Sequence, residues 1–199
     1  CQDNEIAWVD WDLDEDREEL LEFARRVIQL RSDHAVFRRR RFFAGRPDHG
    51  GESDLRDIAW FTPAGQHMED SAWNNDQARS VMVFLNGEAI VEPDGRGEPI
   101  VDDSFLMLFN GHFEKTTFAL PKRDYGEQWT AVLDTDSQVP AGKVLRPRAR
   151  LTLAQRSLVL LTRPPAAPAP VASGSGAAEA AAREAAKVRR APAAPRQAS

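Results

Sequence analysis

Between residues 57 and 162 turn residues cut the sequence into short apolar runs, and this segmentation limits the possible folds more than any other feature. Seven runs read as strands: Ile58–Phe61, Ser80–Leu85, Ser104–Asn110, Lys115–Leu120, Trp129–Asp134, Arg148–Leu153 and Ser157–Thr162. The breaks come from Asn86-Gly87, Asn110-Gly111, the stretch from Pro121 to Gly126 and that from Pro140 to Gly142. Asn110-Gly111 lies between two alternating apolar runs and predicts a tight hairpin. Seven short strands with no long helix among them predict an antiparallel β-sandwich, since each half-apolar sheet needs a second layer to cover it. The longest apolar runs, such as Val81–Leu85, fall far short of the roughly 20 residues that cross a bilayer, so no membrane span is expected.

One helix precedes these strands. Leu20, Leu21, Ala24, Val27 and Ile28 recur at the offsets of one helical face, while Glu18, Glu22, Arg25, Gln29 and Ser32 take the other side. The spacing predicts a helix near 14–32. Asp12 with Glu15 has the logic of a capping box, and Asp14 is a rival cap. Acids crowd the first turns and Arg25, Arg26 and Arg31 the last, as the helix dipole favours.

Charge is unevenly spread. The chain carries a net charge of -5, but from Arg163 to Ser199 six bases face two acids, so the body is more acidic than the whole. An acidic body argues against a nucleic-acid surface and suits a neutral substrate. The tail is nearly all Ala, Pro, Arg, Ser and Gly, with two valines as its only large apolar residues, and is expected to be disordered. Cys1 is the only cysteine, so no disulfide can form within the chain, which fits a reducing, cytoplasmic setting. A first residue other than Met and the lack of a signal-like leader suggest a piece of a longer protein.

The first twelve residues hold the clearest candidate site. Trp8 and Trp11 are interleaved with Asp3, Asn4, Asp10 and Asp12. Indole faces stack on the C–H faces of sugars, and carboxylates and amides pair with their hydroxyls. The same residues have a structural reading, in which the tryptophans pack against the following helix and the acids cap it.

The stretch Gln2-Asp3-Asn4-Glu5-Ile6-Ala7-Trp8-Val9-Asp10-Trp11 is similar to the block after the eighth barrel strand in isoamylase-type glycogen debranching enzymes of the alpha-amylase clan. The resemblance continues through Leu20–Leu30, Phe37-Arg38-Arg39-Arg40-Arg41-Phe42-Phe43 and Asp57-Ile58-Ala59-Trp60-Phe61-Thr62-Pro63-Ala64-Gly65, and more faintly to about residue 162. It implies an α+β fragment: the last loop and helix of a (β/α)8 barrel over 1–44, an antiparallel β-sandwich over 45–162, and a disordered tail over 163–199. It places Asp3, Asn4, Trp8, Asp10 and Trp11 at the rim of a cleft for branched α-glucan, because barrel active sites are built from the loops after the strands. The family's paired catalytic carboxyl groups lie on earlier barrel strands, so the resemblance assigns no catalytic residue here. The expected partners are the missing barrel and, through it, glycogen or limit dextrin.

Other candidates are weaker. The four histidines lack ligand spacing, so no metal or other cofactor is expected. The run Arg38–Arg41 reads as a charged helix exit, and the stretch from Asp94 to Asp103 as a turn and solvated edge. The alternative to a debranching fragment is a stand-alone carbohydrate-binding or structural sandwich.

Overall fold

The computed structural model describes residues 2–45 and 55–166. Of the tail expected to be disordered over 163–199, Arg163 is instead ordered, ending a strand and donating to the Tyr125 carbonyl at 2.7 Å, while residues 167–199, like Cys1, lie outside the described residues. The chain up to Pro165 makes one compact unit.

Helix α1 spans Glu15–Asp33. Its cap is Asp14, whose side chain accepts from the Arg17 amide at 2.9 Å. The capping box expected at Asp12 does not form, because the Asp12 amide turns back to Asp10 Oδ1 at 3.0 Å and leaves Asp14 as the last extended residue. The helix ends at His34, and a 3₁₀ turn over Ala35–Arg38 follows. No residue of α1 is buried. Leu30 packs on the body, and the Arg26 guanidinium donates to the Val132 carbonyl at 2.6 Å. The rest of the apolar face stays open: Leu20 and Ile28 are each 66% exposed.

The strands are β1 Ile58–Phe61, β2 Ser80–Leu85, β3 Ser104–Asn110, β4 Thr116–Ala119, β5 Trp129–Asp134, β6 Val144–Leu145, β7 Arg150–Leu153 and β8 Ser157–Arg163. A short helix α2, Asp70–Trp73, lies between β1 and β2. All pairings are antiparallel. Six strands form one sheet in the order β1-β2-β3-β8-β5-β6, and β4 pairs with β7 in a second. The expected antiparallel layering is present, with strands within a few residues of their predicted bounds. Arg148 takes a left-handed φ of 62°, which keeps β7 from starting where the sequence pattern suggests. The two-residue β6 was not anticipated.

The hairpin expected at Asn110-Gly111 does not form. Strand β3 pairs with β2 and β8, whereas β4 pairs with β7, so the turn carries the chain from one sheet to the other. Asn110 is the reason. Its Nδ2 donates to the Glu114 and Ala154 carbonyls, and its Oδ1 accepts from the Ser80 and Thr116 hydroxyls and the His112 amide. The side chain is a buried hub that ties four segments into a corner rather than the tip of a two-residue turn.

The six-stranded sheet is apolar on both faces, which explains the nearly continuous apolar runs of β2, β3 and β8. One face carries Phe61, Met82, Phe84, Leu106, Leu108, Trp129 and Leu161 against Phe118, Leu120, Leu151 and Leu153 of the small sheet and its flanks. The other carries Val83, Leu85, Phe105 and Leu160 against Val36, with Leu30, Phe37 and Phe43 around them. Strand alternation assigns neighbours to opposite cores.

Gly87 sits where the β2–β3 connection crosses itself. A Cβ there would fall 2.1 Å from the Asp103 carbonyl oxygen and 2.3 Å from that of Asp102. Backbone cannot yield as a side chain can, so Gly87→Ala is expected to lower the melting temperature clearly. Gly95→Ala, where nothing lies within 4 Å, leaves it unchanged. Equal melting of both variants in a thermal scan would contradict this account.

Candidate functional site

The acidic aromatic segment from Gln2 to Asp14 runs ahead of α1 and is exposed throughout except at Leu13. The Ala7 amide donates to the Asn4 carbonyl at 2.9 Å, and the Ile6 amide to Asn4 Oδ1 at 3.2 Å, so Asn4 shapes a tight turn. That turn brings Asp3 to the edge of the Trp8 ring, where Trp8 Nε1 donates to Asp3 Oδ1 at 2.5 Å. The bond satisfies the only polar atom of the indole and leaves its faces to solvent, with Trp8 61% and Trp11 77% exposed. Neither tryptophan is packed beneath the helix.

Asp10 serves the helix start. It accepts from the Asp12 amide and pairs with Arg17 at 3.0 Å. The amide of Asp12, and then the Arg17 guanidinium, hold its carboxyl below the ordinary aspartate range. The turn thus brings together Asp3, Asn4 and Trp8, while Asp10 is engaged with the helix and Trp11 makes no side-chain hydrogen bond or ring contact among the described residues.

Two polar clusters went unnoticed in the sequence. Asp102, read there as part of a solvated edge, accepts from the Val36 amide at 2.9 Å and contacts His34 Nδ1 at 2.8 Å. His34 in turn stands edge-on to Phe105 at 4.7 Å. The pair locks the end of α1 to the sheet. Asp103 accepts from the Thr162 hydroxyl at 3.1 Å. Of the supposed edge, Asp94 does form a turn, accepting from the Arg96 and Glu98 amides.

The second cluster corrects the reading of Arg38–Arg41 as an ordinary charged exit. Arg39 is buried, with only 4% of its side chain exposed. It pairs with Asp57 at 3.3 Å, approaches Glu92 at 4.0 Å and lies over the Phe43 ring at 4.4 Å. Burial works to raise the Glu92 carboxyl, but the Arg41 amide and the Arg39 and Arg41 guanidiniums outweigh it and hold the group below its ordinary value. The signal available in the sequence was the alternation Phe37, Arg39, Arg41, Phe43, which sets two arginines between two aromatic residues.

Among the described residues no group of three or more His, Cys, Asp or Glu is placed to hold a metal ion. No described helix is long and apolar enough to cross a membrane.

The fold and its leading segment define a class: an antiparallel β-sandwich domain joined to an amphipathic helix and an exposed, acid-rich aromatic segment. The chain belongs to the isoamylase C-terminal family, whose description, "Isoamylase, C-terminal", matches residues 57–162. A glycogen operon protein GlgX homolog from Mycobacterium tuberculosis H37Rv is 51% identical to it over 139 residues, which make up 70% of this chain and 19% of the relative. The isoamylase of Pseudomonas amyloderamosa is 24% identical over 133 residues, 67% of this chain and 15% of that enzyme. The GlgX homolog of Haemophilus influenzae is 26% identical over 128 residues, 64% of this chain and 15% of the relative. The chain therefore spans less than a fifth of the length of these relatives.

Proposed function

We propose that this chain is the C-terminal part of a glycogen debranching enzyme that hydrolyses α-1,6-glucosidic branch linkages in glycogen or limit dextrin. The observation that carries the reading is the 51% identity to a GlgX homolog over 139 residues, a stretch longer than the family segment at 57–162 and so not confined to the sandwich. In this reading residues 1–44 are the last loop and helix of a (β/α)8 barrel. The open apolar face of α1, with Leu20, Val27 and Ile28, supports it: an amphipathic helix with no buried residue is a helix short of its partner.

The chemistry belongs to the rest of the parent. Retaining hydrolysis needs a nucleophilic carboxylate and an acid carboxyl flanking the scissile bond. No pair in this chain is assigned to those roles. The purified chain is expected to release no linear chains from glycogen. Release that co-purifies with the polypeptide would sink the proposal that its catalytic groups lie elsewhere.

The segment from Gln2 to Asp12 forms the rim of the glucan cleft in this proposal, with Trp8 as stacking platform. Its support is the Asp3 hydrogen bond, which fixes the ring while its faces stay free. Stacking that covers about 40–80 Å² of apolar surface contributes roughly 1–2 kcal/mol. In the full-length parent, Trp8→Ala should raise KM for branched glucan by roughly 5- to 30-fold with kcat and melting temperature unchanged, since uniform binding is what is lost. An unchanged KM with a lowered melting temperature would assign Trp8 to packing instead.

A further inference from the structure

Strand alternation gives the six-stranded sheet two faces, and they are covered unequally. Toward β4 and β7 the face is closed, with Met82, Phe84, Leu106, Leu108 and Leu161 fully buried. The other face is closed at one end only. There Phe37 of the 3₁₀ turn packs on Phe105 with ring centres 4.5 Å apart, and Val36 joins Leu85 in the same buried cluster. Farther along, Val81, Phe109 and Leu158 are register partners across β2, β3 and β8, and all three stay half-buried.

Two features border this half-open floor. On β1, Trp60 lies opposite Val83 and so on the same face. Its ring meets that of Trp73 from α2 at 5.5 Å, and the two are 39% and 53% exposed. At β5, the Arg26 guanidinium holds α1 to Val132 and Leu30 packs into the buried cluster, while Leu20 and Ile28 of the helix stay open. Exposed apolar residues are ordinary one at a time. A contiguous run of them across a sheet, ending in two touching indoles, marks an interaction surface.

We infer that this face, with Trp60 and Trp73 as its anchors, is a docking surface for the part of the parent enzyme that precedes this chain. The inference rests on the debranching reading. Two observations select that occupant. The open side of α1 and the open floor belong to one face of the sandwich, so a body that packs on the helix reaches the floor as well. The matched segment is only 19% of the GlgX homolog, which leaves most of the parent outside this chain to cover it. A glucan is the poorer fit. The two indole planes stand at 70° to each other and form a wedge, whereas a glucan chain stacks on rings that lie flat beside one another. The floor of Val81, Phe109 and Leu158 also offers no side-chain partner for sugar hydroxyls. Tryptophan suits the centre of a protein interface because it buries a large area with few rotatable bonds.

Hydroxyl-radical footprinting read by mass spectrometry tests this on the full 199-residue chain and on the full-length parent. Trp60 and Trp73 should be oxidised at least about tenfold more slowly in the parent, as anchors sealed from water. Tyr125, which packs on the opposite core, is the reference and should keep its rate. Trp73→Ala should lower the melting temperature of the parent more than that of the 199-residue chain, where the ring is already half in water. Equal oxidation of the two indoles in chain and parent would overturn the inference, as would equal losses from Trp73→Ala. Protection in the chain that rises with its concentration would give the face to a second copy, and protection by maltoheptaose would give it to glucan; either result overturns the docking. Glycogen hydrolysis by the same parent keeps the two proposals apart. An active parent with open indoles removes the docking alone, and an inactive parent with both indoles protected removes the debranching reading alone.

Discussion

Replacing Asp57 by alanine is expected to destabilise the chain by about 3–5 kcal/mol, the loss typical of a buried ion pair stripped of one partner. Asp57 and Arg39 keep only 8% and 4% of their side chains exposed, so solvent does not screen them as it does a surface pair. Asp57 does more than neutralise Arg39. Its Oδ2 accepts from the Ala44 amide at 2.8 Å and its Oδ1 from the Gly45 amide at 2.9 Å. The substitution therefore strands a buried guanidinium and two backbone donors together, with only Glu92 at 4.0 Å to compensate the charge. Urea unfolding of the variant measures the cost. A loss below about 1 kcal/mol would mean that water reaches Arg39. Adding Arg39→Met to Asp57→Ala should recover part of the stability, because the stranded charge is then gone.

Phe84→Ala should cost a similar amount, about 3–5 kcal/mol. Phe84 is fully buried on β2. It meets Tyr125 edge-to-face at 5.0 Å and Trp129 at 6.2 Å. Both neighbours lie outside β2 and its two partner strands, so the surroundings cannot close on the void by shifting one strand alone. Phe42→Ala is the matched control: that ring is 99% exposed, and its loss should stay within about 0.5 kcal/mol. Comparable losses at both positions in urea unfolding would show that Phe84 is not part of a close-packed core.

Much of this architecture was legible in advance because it depends on neighbours in sequence. Helix α1 follows from the recurrence of Leu20, Ala24, Val27 and Ile28, and its position moved by one residue at each end. The strands follow from apolar runs bounded by Gly, Pro and Asn. The choice between Asp12 and Asp14 as the cap was not legible, since both are acids before the same helix. The Asp10 side chain decided it by taking the Asp12 amide. The candidate site was half legible. Sequence grouped Asp3, Asn4, Trp8, Asp10 and Trp11, whereas the fold of the segment joins Asp3 to Trp8 and gives Asp10 to Arg17.

By itself the sequence determined the helix, seven of the eight strands and the antiparallel layering, because periodicity and turn chemistry are written over three to seven adjacent residues; the family came from the resemblance of whole motifs, not from their periodicity. Only the tertiary structure decided what Asn110, Asp102 and Arg39 do. Asn110-Gly111 has the local form of a hairpin, yet hydrogen bonds to Ser80 and Ala154, 30 and 44 residues away, make it a corner. Asp102 looked solvated until His34 and Val36 arrived from the end of the helix. Arg39 looked like one charge in a surface run until Asp57 and Glu92 closed around it. A polar side chain's partners depend on which distant segments the fold brings beside it, and no local pattern carries that information.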